Sequence, residues 1–457
     1  MIAPHIRHRL LKGIGANLYG QAIVAVIQLA GVPILLHAWG AKTYGEWLIL
    51  SAIPGYLSMT NLGFSISAAN DMTTQVARGN RSEALAVFQS IAVLITVTSF
   101  TVFLVVTFLI WTLPIEYWLH FGTMGPVAIR LVLLLLCSDI LVLLFDGLNH
   151  AGFRANGEYA LHTAITNTTP LIQQLVLWTM VLTGHGPLVA AFGFLTVRLI
   201  MVPGTAIFLV VRHPWLEFGF RYARISELRR LSLPALGNLA IPLAQSMNMQ
   251  GMILVVAGVL GPIAVVTFSV LRTLTRLALQ LVSTVSYAAE AEFAALDRGG
   301  KGAPLELLYD QTMRLSLWIS ASVVIGLTIF APVFVRYWTA GHVRMEPWLF
   351  GWLLGTVFSQ TLWNGALSML KARNRHVGAA GAQVMAATGA LLMAGLLLEW
   401  SRNIAYAGLA LFVSDVAFML FTMAAVRRVL GISVGATLLA ALDPRPLRTL
   451  IWRAGNA

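Results

Sequence analysis

Apolar residues run through this chain in long continuous stretches, each close to the roughly 20 residues that carry a helix across a bilayer. Short polar breaks separate them. The runs do not alternate in the manner of barrel strands, so they read as helices. They predict twelve spans, near residues 14–39, 45–69, 84–112, 125–148, 159–183, 187–212, 231–259, 261–288, 314–338, 348–370, 377–399 and 403–427. The fold class expected is an all-α integral membrane protein with about twelve transmembrane helices.

The polar breaks differ in kind. Those after odd-numbered spans are short and nearly neutral. Those after even-numbered spans carry Arg78 and Arg81, then Arg154, then the arginines between 212 and 230, then Arg298 and Lys301, then Lys371, Arg373 and Arg375. Of the 30 Lys and Arg, twenty-two fall on the side of the N-terminus, four opposite (Lys42, Arg336, Arg344, Arg402) and four within spans. By the positive-inside rule both termini are expected in the cytoplasm. Trp39, Trp47, Trp111, Trp118, Trp338, Trp348 and Trp400 gather at the opposite interface as an aromatic belt.

A shift of about 220 residues brings the two halves into weak register. Asn17-Leu18 meets Asn238-Leu239, Gly40 meets Gly261, Arg78-Gly79 meets Arg298-Gly299, and Asp146-Gly147 meets Asn364-Gly365. Six helices separate the copies, so both halves insert in the same orientation, as parallel repeats do. The long basic connection suggests an N-lobe over 1–230 and a C-lobe over 231–428. A basic tail, 429–457, follows. Its apolar stretch, 430–442, is too short to span and suits an interfacial helix.

Composition narrows the function. The chain is 58% hydrophobic, 11% charged and carries a net charge of +12. Its basic residues are spread over loops of one membrane face, which excludes a nucleic-acid surface. The lone Cys137 permits no intramolecular disulfide. No phosphate-cradling glycine loop, nucleophile motif or His/Cys metal spacing occurs, so neither an enzyme, a cofactor nor a metal is expected.

Charges inside the spans carry the sharpest signal, because each costs roughly 2.5–3.5 kcal/mol at the bilayer centre on insertion scales. Arg198, Arg272 and Arg276 lie at depth against only Asp139 and Asp415. The positive excess points to an anionic cargo. In the eighth span Ser269, Arg272, Arg276, Gln280, Ser283 and Tyr287 share one helical face, and the two arginines are one turn apart. Two guanidinium forks there suit a phosphate or carboxylate. Asn17, Gln21 and Gln28 form a second stripe, and Asn238 and Gln245 a third. These amides suit sugar hydroxyls, or else fasten helices together. Asp139 and Asp146 share one face of the fourth span, and Asp415 lies in the twelfth. These acids either pair with Arg198 or Arg272, with Asp146 capping a helix end, or couple transport to H+ or Na+.

The stretch from Trp39 to Leu85 carries Gly40, Tyr44-Gly45-Glu46-Trp47, Asn61-Leu62-Gly63, Asn70 and Arg78. It resembles the first helices of the polysaccharide-export flippases, the Wzx-type O-antigen repeat-unit transporters, with Asn61 in place of their usual Asp. The resemblance implies the superfamily that also holds multidrug (MATE) exporters and the lipid II flippase, with two six-helix lobes in a V. It also implies a polyprenyl-pyrophosphate-linked oligosaccharide as cargo, moved from the inner to the outer leaflet of a bacterial cytoplasmic membrane, with the chain working either alone or beside polysaccharide polymerase machinery. The alternative is a cation-coupled antiporter of small molecules or drugs.

Overall fold

The computed structural model describes residues 4–58, 62–298, 302–373 and 375–430. The apolar runs fold as helices, since in hydrocarbon a lone segment pairs its own backbone groups only that way. In chain order they are α1 (Pro4–Leu57), α2 (Leu62–Ala77), α3 (Arg81–Thr112), α4 (Ile115–Trp118), α5 (Pro126–Ala155), α6 (Tyr159–Leu182), α7 (Pro187–Arg212) and α8 (Ile225–Ser246). A π-helical turn (Met247–Gly251) joins α8 to α9 (Met252–Leu260). Then come α10 (Pro262–Arg298), α11 (Gly302–Trp338), α12 (Pro347–Ala372), α13 (Val377–Ser401) and α14 (Ala405–Leu430). No strand occurs among the described residues.

Among the described residues, nine helical stretches are by themselves long and apolar enough to cross a membrane. One of them, Gly15–Leu57, holds the first expected span and the start of the second. Two further expected spans coincide with α6 and α12, where polar residues such as Thr166, Gln173, Ser359 and Gln360 dilute the hydropathy. The second span, expected as one helix over 45–69, is instead shared between the end of α1 and α2. Ser58 ends the first piece in a turn, its hydroxyl donating to the Gly55 carbonyl at 2.8 Å.

The repeat shows in the backbone. Gly40 (φ 71°, ψ 170°) and Gly261 (φ 81°, ψ −178°) adopt the same conformation at matching breaks. That region of φ/ψ space is essentially closed to side chains. Alanine at either position is expected to cost about 1–3 kcal/mol, read as a drop in thermal unfolding temperature in detergent. Gly326→Ala is the control, because it sits in α11 with open space around it and gains helix propensity.

Contacts divide the chain into two compact units, Met1–Val266 and Thr267–Ala457. The division falls later than the boundary expected at residue 230, because α8 packs on α2 and α3, and α9 on α1. Arg230 on α8 fixes this with a two-pronged ion pair to Asp71 on α2, at 2.8 and 2.7 Å. In the first unit α1 also lies on α6, α5 on α7 and α2 on α5. Met72, Phe88, Ile91, Leu148, Phe153 and Leu216 belong to its core. In the second unit α12 lies along α14, which packs on α13. There Phe293 meets Tyr309 at 6.3 Å and Asp297 pairs with Arg373 at 2.8 Å. The basic tail beyond residue 430 lies outside the described residues.

The α5–α6 junction is tied to the end of α7. Arg212 donates to both Glu158 oxygens at 2.8 and 3.0 Å, and the His213 ring lies 3.0 Å from one of them. Partial burial raises the Glu158 carboxyl, but hydrogen bonds from His213 and Arg212 and their charge outweigh it and hold it below its ordinary value. A lowered folded-state value makes the contribution present above the unfolded value, about 4.5, and lost as the pH falls through the folded one. Melting temperature is therefore expected to fall on acidification below about 4.5, and Glu158→Gln to flatten that fall.

Candidate transport site

Helix α10 carries the polar stripe that the sequence predicts. Arg272 and Arg276 stand one turn apart and half-buried, and the Arg272 guanidinium sits 5.3 Å from the Phe268 ring centre. The two cations repel each other. Asp415, buried on α14, attracts Arg272 and accepts a hydrogen bond from Gln360 at 2.8 Å. Among the described residues no ion pair involves Arg276. Arg314, on α11 of the same unit, is cancelled by Asp310 at 2.7 Å. Gln280 lies on the arginine face, half-buried, and the Ser269 hydroxyl is buried without a hydrogen-bond partner. The side chain of Tyr287 lies outside the described residues. This face can therefore offer an anion two guanidiniums, with the Asp415 carboxylate as the counter-charge of Arg272.

Arg198 meets a different arrangement from the cavity-facing one expected. Its Nε and Nη2 donate to the two Asp139 oxygens, each at 3.2 Å, and Nη2 also donates to Gln173 Oε1 at 2.9 Å. Gln173 returns a bond to Asp139 at 2.7 Å and another to the Phe194 carbonyl at 3.0 Å. All three side chains are buried. The charges of Arg198 and Asp139 are thus met inside the first unit, linking α5, α6 and α7. Pairing with an arginine is one of the two arrangements the sequence offers for Asp139. Arg130, the fourth cation within a span, pairs with Glu116 at 3.0 Å.

The expected amide stripes divide. Asn17, Gln21 and Gln245 are exposed and make no hydrogen bond among the described residues. Gln28 is half-buried, its carbonyl oxygen without a partner. The side chain of Asn238 lies outside the described residues.

One cavity in the first unit escaped the sequence reading. It measures about 470 Å³ and opens among α2, α5 and α6, where Ser65, Asp146, His150, His162, Thr166 and Asn167 contribute its polar lining. Asp146 Oδ1 takes hydrogen bonds from Asn149 and His162, both at 3.2 Å, and Oδ2 takes one from Thr166 at 3.0 Å. The His150 and His162 rings are 5.3 Å apart. The sequence shows Asp146 and His150 one turn apart; only the α5–α6 hairpin adds His162. A carboxylate beside two imidazoles in an accessible cavity can take up a proton or attract a cation.

No protein family and no curated protein matches this sequence. Solved structures do match. The lipid II flippase MurJ in an inward closed conformation is 12% identical with a TM-score of 0.72, covering 97% of this chain and 93% of its own. An inward-facing MATE family multidrug transporter of the MOP superfamily is 13% identical with a TM-score of 0.65, covering 91% and 94%. The MATE multidrug transporter DinF-BH is 13% identical with a TM-score of 0.65, covering 94% and 98%. At such identities the likeness is one of architecture: the chain has the all-α membrane fold shared by these MATE and MurJ transporters.

Proposed function

We propose that the chain is a flippase for a lipid-linked oligosaccharide, moving a polyprenyl-pyrophosphate-linked repeat unit from the cytoplasmic to the outer leaflet of a bacterial inner membrane. The observation that carries this reading is the Arg272–Arg276 pair, two like charges one turn apart on α10. A pyrophosphate is multiply charged, and taking it unaided into hydrocarbon is prohibitive. Two guanidinium forks replace its water with charge-assisted hydrogen bonds. Gln280, on the same face of α10, suits the glycan, and the polyprenyl tail stays in lipid. Asp415 then sets the pair's net charge or couples the cycle to H+ or Na+. No covalent step is needed, only exposure of the site to each membrane face in turn. Binding of polyprenyl pyrophosphate to the purified protein tests the reading. Wild type is expected to bind it in preference to the neutral polyprenol, and Arg272→Ala/Arg276→Ala to lose that preference. Equal binding of both lipids by the wild type contradicts the proposal.

The cavity at Asp146 favours a second reading, a MATE-like antiporter of cationic small molecules. A carboxylate in an accessible cavity is the feature such a cargo or its counter-ion needs. Efflux of a fluorescent cation by whole cells, lost in Asp146→Asn, would establish this reading in place of the first.

A further inference from the structure

The connection between α7 and α8, residues 213–224, is not a slack loop. It is held as a strap against the start of α3. Gln89, buried in α3, donates to the Glu217 carbonyl at 3.0 Å and accepts from the Tyr222 amide at 2.7 Å. Ser90, also buried, accepts from the Arg224 amide at 2.8 Å. Leu216 is fully buried in the core of the first unit, and Phe218 meets Phe88 edge-on at 5.1 Å. Trp215 donates to Asn156 at 3.1 Å, with Arg81 stacked 5.9 Å over its ring. Ordering a dozen residues costs conformational entropy, and these contacts meet that cost.

The strap presents an amphipathic outer surface. Phe220 is 60% exposed and Ile225 72%, with Tyr222 exposed between them. Arg221 lies over the Tyr222 ring at 5.5 Å. Most neighbouring arginines are matched: Arg212 by Glu158, Arg224 by Glu83, and Arg230 by Asp71 and Glu227. Arg221 and Arg229 are exposed and have no acidic partner among the described residues. Position completes the argument. The span of α7 ends at Arg212, immediately before the strap. Helix α3 has 32 residues, which at 1.5 Å each is about 48 Å, while the hydrocarbon core is about 30 Å thick. Counted back about 20 residues, or about 30 Å, from Trp111 at the far interface, the hydrocarbon ends near Ser90. The first three turns of α3, the third of which carries Gln89 and Ser90, therefore reach the headgroup layer.

From these placements we infer that the strap, together with the start of α8, is a docking surface for anionic phospholipid headgroups. Phe220, Tyr222 and Ile225 enter the interfacial layer, and Arg221 and Arg229 pair with headgroup phosphates. Aromatic residues favour that depth, and each interfacial arginine is worth about a fivefold preference for an anionic surface. The surface acts independently of what the transporter carries.

The test uses the full-length protein in nanodiscs of phosphatidylcholine, with or without phosphatidylglycerol. A Phe220→Cys variant carries an environment-sensitive dye; the native Cys137 is buried and stays unlabelled. The dye is expected to shift to the blue and to be quenched by a headgroup-proximal spin-labelled lipid, more strongly with phosphatidylglycerol present. Adding Arg221→Glu and Arg229→Glu is expected to abolish that increment. In native mass spectrometry the same charge reversals lower the retained phosphatidylglycerol, relative to phosphatidylcholine, about fivefold or more. Arg344→Glu, an exposed cation on the opposite membrane face, is expected to leave the dye signal unchanged. A water-like, unquenched dye overturns the inference, as does quenching indifferent to phosphatidylglycerol. A blue-shifted dye that no lipid quenches also overturns it, and assigns the surface to a protein contact instead.

Discussion

Replacing Arg272 and Arg276 together by alanine is expected to lower transport by at least about a hundredfold while the protein still reaches the membrane. Each guanidinium contributes charge-assisted hydrogen bonds worth roughly 1.5–3 kcal/mol, so the pair accounts for about 3–6 kcal/mol, a factor of about 10² to 10⁴. Arg272→Lys/Arg276→Lys keeps both charges and loses the planar forks, so its activity should fall between the two. Initial flipping rates in proteoliposomes, normalised to inserted protein, provide the measurement. Stability should hold or improve in the alanine variant, since it removes two like charges that repel each other inside an apolar unit. Activity lost together with folding would make the pair structural instead.

The largest stability effect is expected at Asp139. Removing its carboxylate in Asp139→Ala strands the Arg198 guanidinium among buried neighbours, a change that typically costs 3–5 kcal/mol. Gln173 loses its acceptor at the same time. The double variant Asp139→Leu/Arg198→Met should recover most of that loss, because exchanging a whole buried pair for apolar groups of similar size is close to neutral. Thermal unfolding of the three proteins in one detergent checks this. Transport by the double variant separates the roles: near-normal rates confirm that the pair fastens α5 to α7, whereas loss of transport in a stable protein returns Arg198 or Asp139 to the working machinery.

The parts of this molecule legible in its sequence are those set by local chemistry. Continuous apolar runs announce helices because lipid permits little else, and the breaks at Gly40 and Gly261 mark places where only glycine fits the backbone. Arg272 and Arg276 stand out because a charge in an apolar run has no bland explanation on its own helix. What stayed hidden depends on which helices become neighbours. Asp139, Gln173 and Arg198 lie on three different helices, so the sequence offers pairing with an arginine for Asp139 but neither selects Arg198 nor brings in Gln173. Asp146 reads either as an acid capping a helix end or as a protonatable group, and only the hairpin places His162 beside it. The contact division at Val266 depends on neighbours in the same way. A long basic connection looks like a lobe boundary, yet buried Gln89 and Ser90 hold it to α3, and Arg230 ties α8 back to α2.

The central claim concerns cargo, and the lipids of cells lacking this protein test it most directly. Extracts of a deletion strain should contain a complete polyprenyl-pyrophosphate-linked repeat unit, visible by mass spectrometry, that disappears on complementation with the wild type. It should persist with Arg272→Ala/Arg276→Ala expressed at the same level. Absence of any such lipid, in a strain with no second flippase, would contradict the account and leave the Asp146 cavity as the place to look for a cationic cargo.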